Sequence, residues 1–143
     1  MKFNFHKNLL YHNTEITLKI NKTGIQSFIS NIHIQDNEIP YPYLIFLNDE
    51  VQNLTLNTQL NITKQGSIVK LIWNTPLKSL RCLFCHCGSI TEINFTSLDT
   101  SSLTYMGGIF NGCTSLISVD LSKINTKNAT AMRYMFLKCN SIK

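Results

Sequence analysis

Three stretches of this chain align without a gap at a constant spacing of 26 residues, starting at Pro76, Ser102 and Asn128. The matched columns are Leu77/Leu103/Ala129, Leu80/Met106/Met132, Leu83/Ile109/Met135, Phe84/Phe110/Phe136, Cys87/Cys113/Cys139, Ser89/Ser115/Ser141 and Ile90/Leu116/Ile142. Two-copy matches follow at Ile93/Val119, Phe95/Leu121, Leu98/Ile124 and Thr100/Thr126. A repeat of this length constrains the fold strongly. One unit cannot bury its apolar face alone, so successive units must stack and share a core.

Within each unit, Leu80, Leu83, Phe84 and Cys87 fall at i, i+3, i+4 and i+7, and Met106, Ile109, Phe110 and Cys113 repeat this spacing. That pattern predicts one face of a short helix. Asp99-Thr100-Ser101-Ser102 offers N-cap residues before the second unit. Ile93 and Phe95 then alternate with Glu92 and Asn94, and Val119 and Leu121 with Ser118 and Asp120. This predicts a strand with one buried face. Helix, loop and strand in one short unit give an α/β repeat, a leucine-rich-repeat-like solenoid with a parallel sheet. The solenoid is expected over residues 67–143, in about two and a half units, the last one truncated at Lys143. Ile68 to Trp73 is expected to be its first strand, with Trp73 inward. Residues 1–66 are expected to form a small β-rich N-terminal cap, with strands at Glu15–Ile20 and Tyr43–Leu47 and a turn at Asn48-Asp49. The open last unit predicts either further units or end-to-end contact at an uncapped coil.

The run from Ile90 to Phe136 resembles the BspA-like leucine-rich repeat family of surface proteins. That family repeats a pattern close to L-T-S-L-D-L-S-x-F-D-T-S-x-V-T-x-M-x-x-M-F-x-x-C. Val119-Asp120-Leu121-Ser122, Asp99-Thr100-Ser101, Met106, Phe110 and Cys113 match it. The resemblance implies a repeat protein exposed at a cell surface and used for adhesion or protein contact, with no catalytic residues to transfer. It covers residues 67–143.

Composition narrows the function. A hydrophobic fraction of 43% and a charged fraction of 15% describe a chain that buries a core. The net charge of +5 comes from basic residues scattered singly, unlike the stripe of a nucleic-acid binder. The longest apolar stretch, Ile39 to Leu47, is interrupted by Pro40 and Pro42 and is too short for a membrane span. The first residues, MKFNFHKNLLYHN, lack the apolar run of a signal peptide.

Cys82-Leu83-Phe84-Cys85-His86-Cys87 contains C-x-x-C-H, the spacing of covalent haem attachment, and residue types that suit zinc. Leu83, Phe84 and Cys87 occupy repeat columns, however, and no second ligand pair is present in the sequence. Buried reduced thiols are expected, with no cofactor. The histidines His6, His12, His33 and His86 stand beside no nucleophile motif, so no enzyme is expected. The expected contact surface is the outward strand face, Lys70, Ile72, Glu92, Asn94, Ser118 and Asp120, taking a protein or glycan ligand. Lys70 is expected to lie beside Glu92. The alternatives are a small metal or redox protein using Cys82 to Cys87, and an intracellular leucine-rich-repeat scaffold.

Overall fold

A computed structural model describes residues 14–32, 39–53 and 57–143. The described elements are eight strands: β1 (Thr14–Ile20), β2 (Gly24–Ser27), β3 (Leu44–Leu47), β4 (Glu50–Val51), β5 (Gln59–Ile62), β6 (Ser67–Trp73), β7 (Ile90–Ser97) and β8 (Ser118–Asp120). Six form one sheet in the order β4-β3-β6-β1-β7-β8, and β2 pairs with β5 in a second. The large sheet is mixed. β1 runs antiparallel to both β6 and β7, and among its pairings only β7 with β8 is parallel.

This overturns the expected α/β leucine-rich-repeat solenoid. Residues 76–143 contain no helix, and the sheet is open and mostly antiparallel. The helical spacing has another cause. Leu83, Cys85 and Cys87 donate their N–H groups three residues back, to Leu80, Cys82 and Phe84. The alternate N–H groups, of Leu80, Cys82, Phe84 and His86, leave the unit. They donate to the carbonyls of Tyr105, Gly107, Ile109 and Asn111 at 2.8, 3.0, 2.9 and 2.7 Å. Met106, Gly108, Phe110 and Gly112 donate in the same way to Ala131, Arg133, Met135 and Leu137. A chain of tight turns therefore presents an apolar side chain inward every three or four residues while half its donors reach the next unit. A helix would satisfy those donors internally.

Positive φ enforces the turns. It recurs at Cys82, Gly108 and Tyr134 (φ 50, 64 and 60) and at His86, Gly112 and Lys138 (φ 62, 77 and 61). One left-handed residue every four breaks any α-helix. Single parallel bridges, Ser79 to Tyr105 and Tyr105 to Ala131, mark the same stacking. The three units thus form a short stack of turn-built coils: coil 1 from Pro76, coil 2 from Ser102 and coil 3 from Asn128.

β6 was expected to be the first strand of a parallel ladder leading to β7. Instead β1 lies between them, with Thr17 opposite both Lys70 and Asn94. The alternation of β1 explains the insertion. Thr14, Ile16, Leu18 and Ile20 are buried while Glu15, Thr17 and Lys19 face outward, so one strand continues the apolar layer of both neighbours. The expected Tyr43–Leu47 strand is present as β3, and Asn48-Asp49 form the two-residue turn to β4, both with positive φ (50 and 68). Trp73 is buried and donates its indole N–H to the Pro40 carbonyl at 2.6 Å. A single apolar cluster joins Ile16, Leu18, Val69 and Leu71 of the sheet to Phe84, Phe110 and Cys113 of the coils. The Phe column is stacked: Phe84 to Phe110 at 6.3 Å between ring centres and Phe110 to Phe136 at 5.2 Å.

Candidate functional site

The outward face of β1, β7 and β8 carries alternate polar side chains, and that of β6 carries Ile68, Lys70 and Ile72. Glu92 and Asn94 of β7 stand in register with Ser118 and Asp120 of β8. With Thr17 and Lys19 of β1 they line a shallow depression of about 510 Å³. Lys19 Nζ meets Glu92 Oε1 at 2.7 Å, both groups remaining partly in solvent. Asp120 Oδ1 accepts the Ser122 N–H at 2.9 Å. Hydrogen bonds from Ser122, aided by the Lys123 charge, hold the Asp120 carboxyl below its usual range. Lys123 Nζ donates to the Thr96 carbonyl at 3.1 Å, so Lys123 also ties β7 to the loop after β8.

Four of the expected face residues, Glu92, Asn94, Ser118 and Asp120, are brought together. Lys70 and Ile72 are not; β1 lies between β6 and β7, and Ile68 is the β6 residue that reaches the depression. Lys70 instead lies 4.0 Å from Asp49 and 5.9 Å from the Phe46 ring centre. The expected Lys70–Glu92 pair is replaced by Lys19–Glu92. Sequence reasoning missed Thr17 and Lys19. Their alternation with buried neighbours was visible, but nothing local reveals that β1 pairs with a strand more than 70 residues downstream. A second depression, about 730 Å³, lies at one end of the coils between Lys22, Ser89, Thr91, Ser115 and Lys143.

The cysteines divide into two groups. Cys87, Cys113 and Cys139 form the buried ladder. Cys113 donates its thiol to the Phe84 carbonyl and Cys139 to the Phe110 carbonyl, both at 3.0 Å, so each links one coil to the previous one. Burial pushes the Cys113 thiol up to about 12, and burial raises Cys87 and Cys139 too. Cys82 and Cys85 lie off the ladder, at the column positions of Gly108 and Asn111. Cys85 donates to the Gly108 carbonyl at 3.1 Å, and its thiol is raised first by burial and then by hydrogen bonding to the Cys82 side chain. All five cysteines are free. The exposed His86 ring lies over Gly112, away from the Cys82 and Cys85 thiols, which converge on Gly108. Among the described residues no group of three or more His, Cys, Asp and Glu is placed to hold a metal ion. His6, His12 and His33 lie outside the described residues. Among those residues no helix is long and apolar enough to cross a membrane.

Residues 60–143, more than half of the chain, match the model of a family described as Mycoplasma protein of unknown function, DUF285. The chain belongs to the DUF285 family. No curated protein and no solved structure matches it. The DUF285 match takes in β6, β7, β8 and all three coils but leaves out β1, the strand that joins β6 to β7. In this member the sheet of the DUF285 region is therefore completed by a segment from outside the matched residues.

Proposed function

We propose that this chain is a non-catalytic interaction module, akin to the BspA-like surface proteins, that contacts a protein or glycan through its outward sheet face. The observation that carries the reading is the convergence of Glu92, Asn94, Ser118 and Asp120 with Thr17 and Lys19 in one depression. Carboxylate, amide, hydroxyl and ammonium groups at two-residue spacing offer donors and acceptors along a fixed backbone. Most of these side chains are short, so little rotamer freedom is lost when a ligand is bound. The face is small against a standard protein interface, so affinity from one such face is modest. A surface location rests on the same resemblance.

Contact of coil 3 with a further coil, of this chain or of another, belongs to this reading as well. Among the described residues no acceptor meets the N–H groups of Met132, Tyr134, Phe136 or Lys138, although their equivalents in coils 1 and 2 are bonded. The fitting partner is a coil presenting carbonyls, as coil 3 does to coil 2. Two third coils placed face to face would oppose donor to donor.

The test is binding of the immobilised chain to arrayed glycans and to solubilised surface proteins. It is run beside the fourfold variant Glu92→Ala, Asn94→Ala, Ser118→Ala and Asp120→Ala. Binding is expected to weaken at least tenfold, about 1.4 kcal/mol, in the variant. Equal binding by both chains retires the sheet face.

A further inference from the structure

We propose that Cys82 and Cys85 form a reversible dithiol–disulfide site that exchanges with small-molecule disulfides of the glutathione type. This inference is independent of the sheet face. The Cys85 N–H donates to the Cys82 carbonyl at 3.0 Å, closing a four-residue turn. Such a turn holds its end Cα atoms within about 7 Å, and a disulfide needs roughly 4.4 to 6.8 Å. The side chains converge as well. A Cβ built on Gly108 would lie 3.0 Å from Cys82 Sγ and 3.8 Å from Cys85 Sγ, so both sulfurs occupy the space that this glycine leaves open.

The repeat supplies an internal comparison. Gly108 to Asn111 and Tyr134 to Leu137 close the same turn, at 3.0 and 3.2 Å, without any thiol. The turn therefore does not require cysteine, and neither Cys82 nor Cys85 is one of the ladder residues that build the core. Cys87, Cys113 and Cys139 are buried, and so is Cys85. Cys82 is only half-buried and is the thiol that an outside disulfide reaches first.

The chemistry proceeds in two exchanges. Cys82, as thiolate, attacks one sulfur of glutathione disulfide, forming a mixed disulfide and releasing one glutathione thiolate. Cys85 then gives up its proton and attacks Cys82 Sγ, forming the intrachain bond and expelling the second glutathione. Two cysteine thiols are oxidised, one glutathione disulfide is reduced to two glutathiones, and the two cysteine protons end on the released thiolates. Burial of Cys85 makes the second exchange the slower one, so the mixed disulfide accumulates transiently. Oxidation also removes the Cys85 thiol's bond to the Gly108 carbonyl, one of the links between coils 1 and 2.

The experiment treats the full chain with glutathione disulfide in mildly alkaline buffer, quenches with an alkylating agent and maps the products by fragment mass spectrometry. The wild type is expected to lose two hydrogens, with the bond placed between Cys82 and Cys85 and reversed by dithiothreitol. Cys85→Ser should trap one glutathione on Cys82, and Cys82→Ser should gain none. The proposal is overturned if modification falls on Cys87, Cys113 or Cys139. It is equally overturned if Cys82→Ser reacts like the wild type, or if the wild type keeps glutathione on Cys82 without resolving it. A urea transition establishes that each variant folds. Should one not fold, the wild-type map decides alone.

Discussion

Coils 2 and 3 carry nearly the same apolar columns but live in different surroundings. Coil 2 has a neighbour on both sides, and Met106, Phe110 and Leu116 are sealed at 1%, 0% and 0% exposure. Coil 3 has one described neighbour, and Met132, Phe136 and Ile142 stand at 49%, 38% and 38%. Burial here is conferred by the adjoining coil rather than by residue type. A column residue gains its full hydrophobic contribution only when it is covered from both directions.

The largest expected effect tests that statement directly. Phe110→Ala should cost about 3–5 kcal/mol, since its ring packs between Phe84 and Phe136 and meets Phe95 edge-on. Phe136→Ala should cost about 1 kcal/mol, as expected for a side chain already partly in solvent. Urea denaturation of both variants measures the difference, and equal losses would show that covering by a neighbour does not set the energetics.

A smaller effect is expected at Gly112, where coil 2 is pressed by coil 1. Its φ of 77 disfavours a side chain, and an added Cβ would lie 2.5 Å from His86 Nδ1. Gly112→Ala should cost about 1–3 kcal/mol. Adding His86→Ala should recover part of that loss, because it removes the overlap but not the strained φ. No recovery in the double variant would mean that the backbone alone carries the cost.

The effect that is smallest at its onset is a pH dependence. Burial pushes the Cys113 thiol from an ordinary 9.0 up to about 12, so the unfolded chain loses this proton first. The stabilisation is complete below pH 9.0 and is lost between there and about 12. The first unit of pH above 9.0 should cost about 1 kcal/mol for such a thiol. Stability measured across that range should fall more steeply for the wild type than for Cys113→Ala. Parallel curves would remove Cys113 from the account.

Much of the stacking was legible in the sequence because the columns at 26-residue spacing are tied to packing. The strands at Glu15–Ile20 and Ile68–Trp73 were legible from their alternation, and the hairpin from Asn48-Asp49. The helix was misread for a definite reason. A chain of four-residue turns places side chains inward at nearly the helical spacing, so periodicity alone does not separate the two. The clue lay in the left-handed positions. Gly108 and Gly112 declare them in coil 2, but Cys82, Tyr134, His86 and Lys138 fill the same columns elsewhere and mask the signal. The site was half legible. Glu92, Asn94, Ser118 and Asp120 share a face because β7 and β8 are successive strands of the repeat. Lys19 and Thr17 reach that face through a pairing between distant segments, which leaves no local trace.

The place of β1 also bears on how the molecule is made. Ile16, Leu18 and Ile20 leave the ribosome well before their partner strands, which begin only at Ser67 and Ile90. At a synthesis rate of about 5–20 residues per second, the strand waits for seconds with both hydrogen-bonding edges open and one face apolar. Pairing across such sequence distances is also slow. The newborn chain therefore passes through an interval in which one of the two central strands of its sheet waits unpaired, exposed to any other chain that offers it an edge.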